Sequence, residues 1–200
     1  MPRKARADII ASGTLYHIVC RGNNQKRIFR AGRDCKKMIG ILRETKEKFP
    51  FYFYSFSLMP NHYHFALETR ENPLSKIMHQ INNTYVKYFR HRYGGYGHLL
   101  QERYFAKIID KDSYLWELVR YIDLNAYRAK MVERPEDYPW GSYCVYYHPV
   151  YQDNLIDRNL FLNSYLDNDA EKARLAYLRF VEEGLLEEKE PPFPLDKNMI

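Results

Sequence analysis

Two hundred residues, 46% of them hydrophobic, fill one domain of ordinary size with a true core and leave room for an appendage. No apolar run approaches the roughly 20 residues of a membrane span, the basic N-terminus carries no signal-peptide pattern, and Cys20, Cys35 and Cys144 are too scattered for a disulfide framework or a zinc ribbon, so a cytoplasmic chain is expected. The net charge of +6 is graded, with 13 Lys/Arg against 4 Asp/Glu in residues 1–50 and 6 against 11 in residues 151–200. A basic first half in a chain with 19 Tyr and 11 Phe suits single-stranded nucleic acid, whose phosphates need cations and whose bases stack on aromatic faces. The same composition also suits a solvated basic surface around an aromatic core.

In chain order, residues 2–8 read as a mobile basic arm, and Thr14 to Cys20 as a strand with Tyr16, Ile18 and Cys20 on one face and Leu15, His17 and Val19 on the other. His17 is either a further ligand or, as is commoner for a single strand histidine, a packed residue. Arg21-Gly22-Asn23-Asn24-Gln25-Lys26-Arg27 is a loop rich in donors, from which Arg21, Asn23, Asn24 and Arg27 are candidate DNA contacts. A helix is predicted from about Gly32 to Lys48, with Cys35, Met38, Ile39 and Leu42 as its apolar stripe and Pro50 beyond its end. Phe51 to Met59 is an aromatic strand, and a second strand, His62-Tyr63-His64-Phe65-Ala66-Leu67-Glu68-Thr69, follows so closely that the two must pair antiparallel. Alternation puts His62 and His64 on one face, about 7 Å apart, where both imidazoles can reach one divalent metal. The spacing alone equally fits two polar residues on a half-exposed face. Asn72-Pro73 introduces a helix from Leu74 to about Tyr93, and Gly94-Gly95-Tyr96-Gly97 breaks it before a short strand, Tyr104 to Ile109. Arg103 and Lys107 there are further candidate DNA contacts. Strand, helix, strand, strand, helix, strand is the ferredoxin-like α+β order, an antiparallel sheet with helices on one face.

The next helix carries the chemistry. It is predicted from Asp112 or Ser113, both good caps, to about Tyr127, with Leu115, Leu118, Val119 and Ile122 inside. Glu117, Tyr121, Asn125 and Arg128 share a neighbouring face, so Tyr121 and Asn125 lie one turn apart. A metal held by His62 and His64 could take the Asn125 side-chain oxygen as a third ligand, with Tyr121 in reach of a phosphate on that metal. A cation with open positions orients and polarises a phosphodiester, and the tyrosine then serves as nucleophile, giving a phosphotyrosine link and a free hydroxyl that can reverse the step.

His62-Tyr63-His64 resembles the His-hydrophobic-His signature of the HUH endonucleases, and Tyr121-Ile122-Asp123-Leu124-Asn125 resembles the nucleophile helix of their single-tyrosine transposases. The REP-associated tyrosine transposases are the branch that it is most similar to. The likeness is carried by Tyr16 to Asn24, Met59 to His64, Gly97 to Tyr104, and Arg120 to Arg128 with Pro135 to Trp140, in that order over about residues 12–145. It implies a metal-dependent nuclease and strand transferase acting on single-stranded DNA at imperfect hairpins, through a 5′-phosphotyrosine intermediate and with Mg²⁺ or Mn²⁺. By matching positions it implies Tyr121 as nucleophile and His62, His64 and Asn125 as metal ligands; Arg128, on the same helix face, is one more candidate DNA contact. Glu102 stands where such sequences often have Gly, Ala126 replaces a frequent Pro and Lys130 a frequent Gly, which touches loop geometry and hairpin contacts but none of the four site residues.

Residues 1–145 are thus expected to form the catalytic domain and residues 146–200 an extension. In the extension Tyr146, Tyr147, Tyr151, Leu155, Leu160, Phe161 and Tyr165 are apolar anchors, Asp169 to Leu186 an amphipathic helix, and residues 187–194 a disordered acidic, Pro-rich tail. Two other functions stay open: a catalytically silent, domesticated hairpin-binding module, and a metal hydrolase using water, for which Tyr121 is dispensable. Both a homodimer and a monomer are compatible with the sequence.

Overall fold

The computed structural model describes residues 12–151, 154–164 and 169–186; the expected basic arm, the Tyr165 anchor and the tail after Leu186 lie outside the described residues. Four strands, β1 (Leu15–Arg21), β2 (Phe51–Met59), β3 (His62–Thr69) and β4 (Phe105–Ile109), form one antiparallel sheet in the order β2-β3-β1-β4. Between them run α1 (Gly32–Lys48) and α2 (Leu74–Tyr93), and after β4 come α3 (Lys111–Asp123), the single turn α4 (Asn125–Arg128), α5 (Tyr143–Tyr147), α6 (Arg158–Asn163) and α7 (Ala170–Leu186). This is the ferredoxin-like arrangement with a helical extension.

The expected helix-on-one-face packing is corrected in one respect: both faces are covered. Tyr63 and Phe65 point to α2, where the Tyr63 hydroxyl donates to Asn82 Oδ1 at 2.5 Å. On the opposite face, His64, Ser55 and Ser57 look toward α3, and Ser55 Oγ donates to the Asp123 carboxylate at 2.7 Å. Two covered faces explain why β2 and β3 are buried almost end to end rather than at alternate residues. A β-bulge at Tyr54 sets the phase of β2: Phe53 pairs with Leu67 but Ser55 pairs with Ala66. Phe53 and Phe56 consequently fall on the same face and stack, with centroids 5.9 Å apart and planes 2° from parallel. The Tyr54 hydroxyl reaches Glu68, which Lys111 Nζ also contacts at 2.8 Å.

The C-terminal segments join this core. Tyr146, Phe161, Tyr177 and Val181 are fully buried and belong to the same hydrophobic cluster as Leu15, Phe53 and Ile122, while Tyr151 and Leu160 stay exposed. Helix α7 lies so close to α3 that a Cβ on Gly184 would meet Arg120 Cδ at 3.0 Å and Leu124 Cδ1 at 3.1 Å. Beside this approach Arg120 donates to Phe180 O at 3.1 Å and its guanidinium sits 3.8 Å from the Phe180 ring.

The Asp123 side chain gathers these layers. Oδ1 accepts from Ser55 and, at 2.9 Å, from Ser142, and Oδ2 accepts from Tyr177 of α7 at 2.7 Å. Burial pushes the carboxyl up to about 7, against the pull of the three hydroxyls. Since this lies above its ordinary 3.8, the contribution of Asp123 to stability is fully present below about pH 4 and is lost as the pH rises through 7. Asp123→Asn is expected to flatten that decline, whereas Asp123→Ala, which takes the acceptor from the buried Ser55 and Tyr177 hydroxyls and leaves Ser142 to its bond with Phe56 O, is expected to cost about 2–4 kcal/mol throughout. Urea denaturation of the three proteins across this pH range checks both outcomes.

Candidate active site

The site grows from the register of three strands. Antiparallel pairing sets Val19 opposite His64, His17 opposite Ala66, Arg21 opposite His62 and Lys107 opposite His17. Alternation then puts His17, His62 and His64 on the face beneath α3, together with Ser57, the β2 partner of His64. Helix α3 lowers Tyr121 onto this face. Its ring stands edge-on to His64, with centroids 5.9 Å apart, and to His17 at 5.7 Å, and only 6% of the residue is exposed.

Each histidine of the His-x-His pair has its Nδ1 engaged. His62 Nδ1 donates to the Asn61 side-chain oxygen at 2.7 Å, and His64 Nδ1 shares a hydrogen bond of 3.1 Å with His17 Nε2. In both rings Nε2 is the nitrogen outside these bonds. Burial, then the Arg21 charge, lowers His62 to about 4; burial, then His17 and His62, holds His64 well below the usual imidazole range. Both rings are therefore neutral at pH 7, the form that binds a cation. For Tyr121, burial pushes the phenol up to about 12, and the Arg128 guanidinium, 5.9 Å from its ring, opposes the shift.

The single helix expected from Asp112 to Tyr127 is corrected: it starts at Lys111, so neither expected cap, Asp112 or Ser113, precedes it, and it breaks at Leu124. Helical bonds nevertheless bridge the break, with Leu124 N donating to Arg120 O at 3.0 Å and Arg128 N to Leu124 O at 2.9 Å. Asn125 opens the next turn, and its Nδ2 is buried without a hydrogen-bond partner. Among the described residues no three His, Cys, Asp or Glu side chains are grouped to hold a metal.

The remaining predicted contacts divide in two. Arg21, Lys107 and Arg128 surround the histidine face, and a hollow of about 410 Å³ lined by Tyr127, Arg128 and Lys130 opens beside the last of them. Asn23, Asn24, Arg27 and Arg103 lie at the end of β1 instead. Arg27 joins Arg30, Pro60 and Trp140 around a second hollow of about 210 Å³. Asn24 adopts the left-handed region at φ 50°, which asparagine tolerates. This loop is fastened to the His-bearing hairpin by Gly22 N donating to Asn61 O at 2.7 Å and by Ile28 N donating to Pro60 O at 2.8 Å. Two residues were given too little weight in the sequence: His17, which contacts both His64 and Tyr121, and Asn61, which fixes His62. Their signals were faint, a histidine in phase with Val19 on β1 and an amide in the turn before His62.

A family model described as "Transposase IS200 like" matches residues 11–125, a span that includes His17, both histidines of the pair and Tyr121 and ends on Asn125. No curated protein matches the chain. Among solved structures, one of a REP-associated tyrosine transposase bound to a REP hairpin aligns with a TM-score of 0.58 at 20% identity, covering 78% of this chain and 94% of that one. At that identity the likeness supports the fold. Among the described residues no helix is long and apolar enough to cross a membrane.

The Gly22 position offers a direct test of how the loop is held. A Cβ there would stand 2.1 Å from the Lys26 carbonyl oxygen and 2.9 Å from Ile28 Cγ2. Gly22→Ala is expected to destabilise the protein by about 1–3 kcal/mol, with amide exchange accelerated first in residues 22–28 and at the hairpin turn. Uniform acceleration across the sheet would show that the loop is not a separable unit.

Proposed function

Since this chain belongs to the IS200-like transposase family, whose model spans residues 11–125, we propose that it cuts and rejoins single-stranded DNA at hairpins with Tyr121 as nucleophile. The observation that carries the reading is the Tyr121 ring standing edge-on over the buried His17–His64 pair. A hydroxyl nucleophile and two neutral imidazoles then meet on one wall, ringed by Arg21, Lys107 and Arg128. The hairpin substrate is supported by the similar fold seen bound to a REP hairpin and by the basic first half of the chain.

The donor set fits a divalent cation. His62 and His64 would hold it through Nε2, the nitrogens outside the Asn61 and His17 bonds, and Asn125, on the turn after Tyr121, would hold it through its side-chain oxygen. Bound there, Mg²⁺ or Mn²⁺ would draw charge from a phosphate oxygen and orient the phosphodiester. The protein's own groups supply the rest. Tyr121 loses its phenolic proton to solvent, which returns one to the departing 3′ oxygen, with Arg128 favouring the phenolate against the effect of burial. The Tyr121 oxygen bonds to phosphorus as the bond from phosphorus to the 3′ oxygen breaks, leaving a 5′-phosphotyrosine and a free 3′ hydroxyl. Attack by the 3′ hydroxyl of another strand end reverses the step and restores Tyr121, so joining needs no external energy source. A catalytically silent hairpin binder is favoured by one observation, the 6% exposure of Tyr121.

The experiment is a denaturing gel of wild type and Tyr121→Phe after incubation with single-stranded hairpin DNA and Mn²⁺. A covalent adduct is expected in wild type, reduced at least about 10³-fold in Tyr121→Phe with hairpin affinity retained. With the phenol at about 12, adduct formation is expected to rise about tenfold per pH unit between about pH 7 and 9. Cleavage that survives in Tyr121→Phe would point to water as nucleophile. Binding without cleavage in either protein would favour the silent module.

A further inference from the structure

His17 is completely buried, yet neither ring nitrogen meets a backbone group or water-facing surface: Nε2 meets His64 Nδ1 at 3.1 Å, and Nδ1 has no hydrogen-bond partner. The two rings are 16° from parallel with centroids 5.3 Å apart. A face-to-face stack is closer than that. Two imidazoles lying end to end in nearly one plane, joined by one N–H···N bond, give this separation from their ring radii and the bond length. The contact is therefore a directed hydrogen bond.

Only one of the two partners can donate. One N–H···N bond holds one proton between the two nitrogens, and a neutral imidazole carries one proton in all. If His17 donated, His64 would accept at Nδ1 and carry its proton on Nε2, which closes that nitrogen to a ligand. If His64 donates, its Nε2 keeps a lone pair, and the His17 proton must sit on Nδ1, the buried atom without a partner. His17 Nδ1 is without a partner in both arrangements, so what separates them is the His64 Nε2 lone pair, which only the second leaves open to a cation.

We propose that His17 is a positioning residue, which accepts the Nδ1 proton of His64, presents the His64 Nε2 lone pair to a divalent cation and supports the Tyr121 ring. This rests on the reading of His62, His64 and Asn125 as a cation site. His17 sits on β1 two residues from Val19, the partner of His64 on β3, and so on the same face, which lets the sheet itself fix the bond. The Tyr121 ring stands edge-on to both members of the pair at 5.7 and 5.9 Å, and a tilt of His17 would displace nucleophile and ligand together.

The test titrates Mn²⁺ into the protein and follows loss of the free-ion electron paramagnetic resonance signal, with pulsed spectra counting coordinated imidazoles. Wild type is compared with His17→Phe, which keeps a ring but no acceptor, His17→Gln, whose amide oxygen can take the place of Nε2, and His17→Asn, too short to reach His64. Two imidazoles are expected in wild type. Affinity is expected to fall about 10–100-fold in His17→Phe and His17→Asn and to recover most of that loss in His17→Gln, while metal-free hairpin binding stays unchanged in all. Unchanged affinity in His17→Phe, or equal affinities for Gln and Asn should the Phe variant fail to fold, would overturn the proposal. Three imidazoles in wild type falling to two in the variants would make His17 a ligand and also overturn it. Wild type that binds no Mn²⁺ would overturn the cation site itself, a failure distinct from the others.

Discussion

A single buried carboxylate holds the site's parts in relation to one another. Asp123 is the last residue of α3, and its three hydroxyl partners come from β2, from the segment before α5 and from α7. Residues at 121 and 123 point to different sides of the helix, so turning Asp123 toward Ser55 and Tyr177 also sets where Tyr121 points. Burying the group is unfavourable enough to raise its carboxyl to about 7, and the geometry persists because three donors converge on it. The rotation of the α3 helix about its axis is therefore specified by polar chemistry rather than by shape alone.

Below that clamp, neutral imidazoles lie within a basic surround. Burial keeps the histidines uncharged, and the basic side chains of Arg21, Lys107 and Arg128 stand around them. Such an arrangement favours an anion arriving at a dry floor. An anion approaching this face would meet the basic side chains before the uncharged imidazoles.

Much of this was legible in the sequence because it is local. Alternation put His62 and His64 together, the 3.6-residue period put Tyr121 one turn from Asn125, and the bounds of α1, β2, β3 and α2 agree with the patterns of Cys35 to Leu42, Phe51 to Met59 and Leu74 to Phe89. What escaped depends on pairing between distant segments. His17 looks like any strand histidine until the β1–β3 register sets it beside His64. Asp123 looks like a helix-end carboxylate until Ser142 and Tyr177 arrive from the extension. The second covered face was missed for the same reason, since the stripe Leu115 to Ile122 does not say which side of the sheet it meets. The break at Leu124 has no residue signal, as neither Gly nor Pro marks it.

The bulge at Tyr54 has a consequence for how this strand can evolve. Ahead of it, odd-numbered residues look toward α2; beyond it, odd-numbered residues look toward the histidines. Were Tyr54 instead paired into the ladder, opposite Ala66, Ser55 would fall opposite Phe65 and Phe56 opposite His64, which carries Phe56 toward the histidines and sends Ser55 and Ser57 into the hydrocarbon side. Substitutions at Tyr54 that keep it out of the ladder alter one side chain, but one that lets it pair turns over every residue after it. In lineages that descend from this chain, the bulge should thus be guarded more strictly than the letter that forms it.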